Sequence, residues 1–344
     1  MLQQQMLSPG NIEIHEVLVP TIEADEVLIE IKRIGVCGSD IHVYHGKHPY
    51  VNYPLTQGHE VSGKVVSIGN LVTHLYVGQK VTIEPQEYCG ECYPCKHGKY
   101  NLCENLKVMG FQTLGSASEY FKVKGNKVVG LPASMTYDEG AMIEPLAVTL
   151  HACTKAGDVI DKAVIILGAG PIGILLCQTL KALGAAKVMM TDISDHRLEI
   201  AKLCGADIIV NTKTKDLSSA IDEYFGNDKA DLIFDCAGNN ITIGQAIENA
   251  RKGSKIILVA VFSSLAVVDL AKLNDSELDI LTSMMYRHED YVEAIRLVDE
   301  GLVKLKPLMS RHFYFGDYDK AYKYIEENSE KTMKVLIDIA PSLE

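Results

Sequence analysis

Hydrophobic and polar positions change rhythm partway along this chain of 344 residues. From Glu26 to about Val129, short runs such as VLIEIKRI, EVSGKVVSIG, QKVTIEP and SEYFKV are separated by glycine, proline and asparagine. That texture predicts strands of an all-β domain closed as a small barrel. After about Cys153 strand-like and helix-like runs alternate, as KAVIILGAG, PIGILLCQTLKALGA, KVMMTDI, HRLEIAKLCGA and DIIVN, continued by DLIFDCAG, AIENARKG and SKIILVAV. Alternation of this kind predicts βαβ units on a parallel sheet. From about His288, DYVEAIRLVDEG and DYDKAYKYIEENS read as amphipathic helices, and MKVLIDI as a closing strand suited to pair with the first domain.

The length exceeds what one hydrophobic core usually supports, so two domains are expected, and 47% hydrophobic content is enough for both. A formal charge of -12, a pI near 5.4 and the lack of a long lysine cluster exclude a nucleic-acid footprint. No run reaches the roughly 20 apolar residues of a membrane span. The longest candidate, Ile256 to Leu270, is interrupted by Ser263 and Ser264. With no apolar N-terminal h-region, the expected location is the cytoplasm, where nine cysteines are better explained by metal than by disulfides.

Four of those cysteines, Cys89, Cys92, Cys95 and Cys103, lie in CGECYPCKHGKYNLC. Each C-x-x-C step brings two thiolates together on a tight turn, with Gly90 and Pro94 letting the backbone fold around one ion. Four sulfurs then close a tetrahedral zinc without an open position. Such a site holds shape and does not react. Two disulfides or four unrelated thiols are the alternatives, and a reducing compartment disfavours the first. Among Cys37, Cys153, Cys177, Cys204 and Cys236, only Cys37 sits near other ligand types.

Gly168, Gly170 and Gly173 form G-x-G-x-x-G between the strand AVIIL and a long apolar helix. In that context Gly168, Gly170, Pro171, Ile172 and Gly173 make the turn that brings a pyrophosphate to the N–H groups of the helix N-terminus, Pro171 occupying a first-turn position that needs no N–H. Asp192 ends the next strand. A carboxylate there accepts both hydroxyls of an adenosine ribose and repels a 2′-phosphate, which favours NAD over NADP. Its alternative role is an ordinary strand-end helix cap. Arg197, one helical turn on, lies against adenine or pairs with a phosphate. The strand end DCAG at Asp235 to Gly238 approaches the nicotinamide end, and Val259, Ala260 and Val261 end another strand as lining candidates, with hydrophobic core as the plainer reading for the valines.

Cys37 in GVCGSDIH and His59 in QGHEVSG lie on two loops of the β domain, and Glu144 appears in IEPLAV near the domain crossover. Cysteine, histidine and carboxylate together form an open zinc set, which leaves a fourth position for water or an alcohol oxygen. GVCGSDIH, GHEVSG, the four-cysteine lobe, EPLAV and GAGPIG, in this order and spanning nearly the whole chain, resemble the zinc-dependent medium-chain dehydrogenases. The E-P glutamate resembles the polyol (sorbitol or L-iditol 2-dehydrogenase-like), threonine and butanediol branch.

That resemblance implies a GroES-like β-barrel catalytic domain over residues 1–152, a Rossmann doubly wound parallel-sheet NAD-binding domain over 153–288, and a return of 289–344 to the catalytic domain. It implies two zinc ions per subunit, one catalytic and one structural. Cys37 and His59 are then zinc ligands, with either Glu60 or Glu144 as the carboxylate. His59 and Glu60 ligate together only if the backbone turns, which Gly58 permits. Asp40 takes the other ring N–H of His59, and Ser39 and His42 match the family's proton relay. His45 and His48 extend an H-x-x-H-x-x-H run but read as loop residues at the pocket mouth, since Gly46 and Pro49 break the helix that would align them.

The implied reaction is NAD-dependent oxidation of a secondary hydroxyl of a sugar alcohol to a ketose, by hydride transfer. Departures from the sorbitol dehydrogenase pattern, Val43 in place of tyrosine and the order Tyr286–Arg287, keep a hexonate (L-gulonate- or L-galactonate-type) 5-dehydrogenase as the alternative, with Lys47, His48 or Arg287 meeting the carboxylate. L-Threonine or butanediol oxidation follows, and a non-catalytic NAD-binding protein is disfavoured because every ligand and relay residue is present. The family also implies a homodimer or homotetramer, with the apolar IILVAVF strand and its neighbours as the place of contact.

Overall fold

The computed structural model describes residues 1–262 and 264–339; Ser263, one of the serines interrupting the apolar run, and residues 340–344 of the C-terminal segment lie outside the described residues. The chain forms two compact units. One comprises Met1–Glu144, Arg287–Asp299 and the chain from Met309 onward; the other comprises Pro145–Tyr286 and Glu300–Leu308.

The first unit opens with a hairpin of β1 (Leu2–Ser8) and β2 (Asn11–Glu16), followed by β3 (Glu26–Val36), α1 (Gly38–Tyr44), β4 (Glu60–Ile68), β5 (Lys80–Ile83) and β6 (Gln86–Glu87). Then come α2 (Tyr93–Lys96), β7 (Lys107–Val108), β8 (Tyr120–Lys124), β9 (Val128–Gly130), α3 (Tyr137–Ala141) and α4 (Ile143–Ala156), which leads into the second unit. There β10 (Ala163–Leu167), β11 (Lys187–Asp192), β12 (Ile208–Asn211), β13 (Leu232–Asp235), β14 (Lys255–Leu258) and β15 (Asp279–Thr282) alternate with α5 (Pro171–Ala182), α6 (Asp195–Leu203), α7 (Leu217–Phe225), α8 (Asn240–Asn249) and α9 (Leu270–Asp275). The chain returns through α10 (His288–Asp299), β16 (Met309–Tyr314), α11 (Tyr318–Glu327) and β17 (Lys334–Asp338).

In the first unit β16-β17-β3-β4-β5-β9 form one sheet, with β8 also on β3. Val27, Ile29 and Ile31 alternate inward along β3 and are fully buried, each contributing about 1.5–3 kcal/mol of burial. MKVLIDI pairs antiparallel with β3, Val335 opposite Val36 and Ile337 opposite Ile34. The β1–β2 hairpin has no counterpart in the sequence reading, for a physical reason. The inward residue beside Met6 is Gln4, completely buried, so the strand's alternation looks polar.

The second unit is a parallel sheet in the order β12-β11-β10-β13-β14-β15. Counted from its own first strand this is 3-2-1-4-5-6, the doubly wound dinucleotide-binding order. Strands β10 and β13 are buried on both faces, hence their continuous apolar runs. The strand within IILVAVF, β14, lies next to the outer strand of this sheet: β15 pairs along it with Ile256 opposite Ile280.

Candidate metal centre and dinucleotide site

Cys37 follows β3 directly and caps α1 in extended conformation, with φ -87 and ψ 155. Asp40, inside the first turn, accepts the Cys37 N–H through Oδ2 at 2.9 Å and so fixes the cysteine. His59 stands one residue before β4, after Gly58 at φ +95, where a Cβ would come 2.8 Å from the Ala117 nitrogen. The backbone turns here, so His59 and Glu60 are released from strand alternation. Ligand atoms of Cys37, His59 and Glu60 all lie within 4.8 Å of one another. Glu144, at the start of α4, is buried, and its charge acts on His59 and Lys334, but its carboxylate is not one of this set.

Glu60 is gripped from behind. The Lys334 ammonium, on β17, donates to both carboxylate oxygens at 2.6 Å and to the Val36 carbonyl at 3.2 Å. Gly35, opposite Glu60 in the β3–β4 register, makes the room, since a Cβ there would lie 2.2 Å from Glu60 Oε2. Burial pulls the His59 imidazole down, but Asp40, Cys37 and Glu144 outweigh it and hold the ring well above its ordinary value. Lys334 shows the same contest: burial lowers it, Glu60 and Cys37 raise it further, and its pKa ends above the usual lysine value. A buried pocket of this kind draws positive charge. Its sulfur, nitrogen and oxygen donors suit zinc with an open coordination position.

Asp40 reaches His59 only in part. His59 Nδ1 is buried, has no hydrogen-bond partner among the described residues, and lies 3.7 Å from Asp40 Oδ1. That is beyond a hydrogen bond, because the carboxylate is already engaged by the Cys37 N–H and by Gln57 Nε2 at 3.1 Å. Burial is the main reason the Asp40 carboxyl is raised. Ser39 and His42 sit three residues apart on α1, Ser39 half-buried and His42 exposed. His45 turns to Glu326 on α11, whereas His48 stacks on Phe111 at 4.9 Å between centroids. The same Phe111 ring lies 4.9 Å from the His59 ring.

In the lobe the four cysteines form a second such group. Cys103 Sγ is 3.5 Å from Cys89 Sγ and 3.9 Å from Cys92 Sγ. Those spacings are far too long for a disulfide and close to the ~3.8 Å edge of a tetrahedron built on Zn–S bonds of about 2.3 Å. Backbone N–H groups of Cys92 and Cys89 point at sulfurs of Cys89 and Cys103. Hydrogen bonds from the Glu91 and Cys92 backbone bring the Cys89 thiol down to about 6, while burial pushes Cys95 up to about 12. In the second unit Cys153, Cys177 and Cys204 are buried and Cys236 is half-buried; burial pushes Cys177 to about 12 and Cys204 to about 11, which leaves those two as inert thiols. A third group, Asp138, His312 and Asp338, is an ion-pair network: Arg33 Nε sits 2.6 Å from Asp138 and 3.1 Å from Asp338.

The glycine loop of the second unit matches its motif in detail. Gly168 has φ +102, and a Cβ on Gly173 would lie 2.0 Å from the Gly168 carbonyl oxygen, so helix and strand pack through the glycines. Nothing lies within 4 Å of a Cβ built on Gly170, the N-cap of α5, so that position opens into space where a diphosphate fits. Pro171 opens the helix and Ile172 follows it. Asp192 does not cap α6; Ser194 does. Instead the Asp192 carboxylate accepts Ala169 N–H at 2.8 Å on one oxygen and Ile193 and Ser194 N–H at 2.8 and 2.9 Å on the other. Of its roughly four acceptor sites, about one is left for a ribose hydroxyl, fewer than the pair expected. Arg197 is half-buried on α6. Val259 and Ala260 donate their N–H groups to the Asp235 carbonyl, while Val261 is 87% exposed, so it is not core.

Several contributors escaped the sequence reading. Phe111 carries no motif, while Gly35 and Gln57 open the runs GVCGSDIH and QGHEVSG but have no role there that the sequence reveals. Lys334 does carry a signal, as the single cation inside the apolar run MKVLIDI.

Two family models match, the alcohol dehydrogenase GroES-like domain over residues 23–133 and the zinc-binding dehydrogenase domain over 171–300. Sorbitol dehydrogenase 1 of Saccharomyces cerevisiae is 33% identical over 340 residues, covering 95% of each chain. The 2-dehydro-3-deoxy-L-galactonate 5-dehydrogenase of Pseudoalteromonas atlantica is 34% identical over 317 residues, covering 92% of each. Among solved structures, an alcohol dehydrogenase of Escherichia coli CFT073 complexed with NADH superposes with a TM-score of 0.92 at 31% identity, covering 98% of this chain and 99% of that one. The chain belongs to the zinc-dependent medium-chain dehydrogenases, in the polyol dehydrogenase branch. It is an oxidoreductase of the alcohol dehydrogenase type that uses zinc and a nicotinamide dinucleotide. Among the described residues no helix is long and apolar enough to cross a membrane.

Proposed function

We propose that this enzyme oxidises a secondary hydroxyl of a neutral sugar alcohol to a ketose, with NAD as hydride acceptor. The observation that carries the reading is the thiolate, imidazole and carboxylate of Cys37, His59 and Glu60 gathered within 4.8 Å. Cys37 Sγ, His59 Nε2 and either Glu60 or Glu144 would hold the catalytic zinc, and Cys89, Cys92, Cys95 and Cys103 a structural one, two per subunit. When bound, the catalytic ion supplies a Lewis acid that makes a hydroxyl acidic near neutral pH. Ser39 then takes the hydroxyl proton and hands it to His42, whose exposed ring releases it to solvent. The N–H groups after Gly170 bind the dinucleotide's diphosphate, and Asp192 accepts a ribose hydroxyl and repels a 2′-phosphate, which supports NAD over NADP.

A sugar alcohol as substrate is supported by the name of a relative, sorbitol dehydrogenase 1 of Saccharomyces cerevisiae, 33% identical over 340 residues. A sugar acid is the second reading, favoured by the galactonate-derived substrate in the name of one relative. Arg287, paired with Glu289 at 3.1 Å through Nη1 and with a buried Nε that has no partner among the described residues, is the cation that reading would use. The test is initial-rate reduction of NAD and NADP across pentitols, hexitols, hexonates and L-threonine, with a chelator-treated control. Chelator-sensitive NAD reduction by polyols supports the proposal; turnover of hexonates alone replaces it with the second reading.

A homodimer or homotetramer accompanies this proposal. Val261, Leu265, Val267 and Leu270, between β14 and the start of α9, are 87%, 100%, 78% and 72% exposed, an apolar strip that asks for a covering surface. Light scattering on Leu265→Asp tests it, with a fall to monomer mass as the expected result. A cytoplasmic location also fits this reading.

A further inference from the structure

Behind the metal centre runs a line of buried polar side chains that the proposed chemistry does not use. Gln57, Gln4 and Tyr322 are 0% exposed and Asp40 is 1% exposed. Gln57 Nε2 donates to Asp40 Oδ1 at 3.1 Å and to the Asp40 carbonyl at 3.3 Å. Both are acceptors only, so the amide has one orientation. Its Oε1 must then accept, and it does so from the Tyr322 hydroxyl at 2.8 Å. The Gln57 backbone N–H is tied to Gln4 Oε1 at 3.0 Å. A glutamine two residues before His59 is thereby locked, through a tyrosine of α11, onto the carboxylate that faces His59 Nδ1.

We propose that Gln57 and Tyr322 are positioning residues for the metal centre: Tyr322 fixes the Gln57 amide, and Gln57 fixes Asp40 between the Cys37 N–H and the His59 ring. Asp40 is held at two points, Oδ2 by Cys37 and Oδ1 by Gln57. With the second point removed, a buried carboxylate loses its orienting donor and swings or relaxes away from His59. Groups one step behind a metal ligand set its affinity by about 10- to 100-fold, and Gln57 acts through such a group. The inference rests on the proposed zinc reading of Cys37 and His59.

The experiment uses the purified enzyme and measures zinc release to a colorimetric chelator, with the four-cysteine lobe as internal reference, together with the thiolate-to-cobalt absorption after cobalt exchange. Gln57→Leu is expected to release the catalytic ion about tenfold faster or more and to alter the cobalt band, while lobe zinc leaves at the parent rate. Tyr322→Phe keeps the ring packing and removes only the hydroxyl, so it guards against misfolding and is expected to change release in the same direction, by several-fold. If both variants release catalytic zinc at the parent rate with an unchanged cobalt spectrum, the two residues are merely structural and the inference is overturned. A parent enzyme holding zinc in the lobe alone would instead overturn the zinc reading beneath it.

Discussion

Replacing Lys334 by methionine probes a buried ion pair beside the proposed metal centre. The ammonium lies 2.6 Å from both oxygens of Glu60, and the two side chains are 4% and 1% exposed. At an effective dielectric of about 20 the gross attraction across that distance is roughly 6 kcal/mol. Desolvation of the two ions costs several kcal/mol each, so the intact pair nets close to zero. Removing one partner is different, because the Glu60 charge stays buried with nothing to compensate it. Lys334→Met is therefore expected to lower unfolding free energy by roughly 3–5 kcal/mol in zinc-depleted protein, read from urea midpoints. Added zinc should shrink that loss, since a cation shared with Cys37 and His59 takes over the compensation. The double variant Lys334→Met with Glu60→Leu removes both charges and should return to within about 1 kcal/mol of the parent. A single variant losing under about 1 kcal/mol, or a double variant no better than the single, would refute the argument that Lys334 compensates the buried Glu60 carboxylate.

Two further predictions concern other parts of the chain. Burial lowers Lys127 to about 8, against Glu84 and Glu87, which act to raise it. Because a depressed lysine binds fewer protons folded than unfolded, its penalty is full below about 8 and fades as pH rises to about 10.5; the ammonium also sits 3.8 Å over the Tyr88 ring, a contact that offsets part of the penalty, so Lys127→Met should stabilise the protein by about 1–2 kcal/mol near neutral pH and by less as pH rises to 11; a gain independent of pH, or none, would contradict it. Asp192→Ser removes the carboxylate that holds Ala169, Ile193 and Ser194, and should weaken NAD use and shift the NAD/NADP preference at least tenfold toward NADP, measured as the ratio of kcat/KM values; an unchanged ratio would remove Asp192 from cofactor choice.

What was legible in the sequence was whatever has a local signature. The glycine loop requires positive φ and close packing at particular positions, so Gly168 and Gly173 announce both the turn and the strand and helix flanking it. Thiols three apart announce a shared cluster because few other arrangements need them, and the four sulfurs gather within 4.8 Å of one another. Contributions that depend on chain ends meeting were not legible. Lys334 reaches Glu60 across 274 residues and Tyr322 reaches Gln57 across 265, and no periodicity encodes either contact. Gln4 hid its own strand by being a polar residue on the buried face.

That division has a physical origin in how the centre is built. In the proposed zinc reading Cys37, His59 and Glu60 supply ligand atoms, and Asp40 and Gly58 fix the turns that aim them, all properties of short segments. Holding several anionic groups together without water requires fixed positive charge and fixed donors behind them. Strand β17 and helix α11 supply both, Lys334 on Glu60 and Tyr322 on Gln57. The C-terminal segment thus does more than close the sheet: β17 pairs with β3 at Val36 and Gly35, the residues just before Cys37. Any change that loosens β17 should therefore act on the metal centre before it acts on the dinucleotide loop, whose strands share no pairing with it.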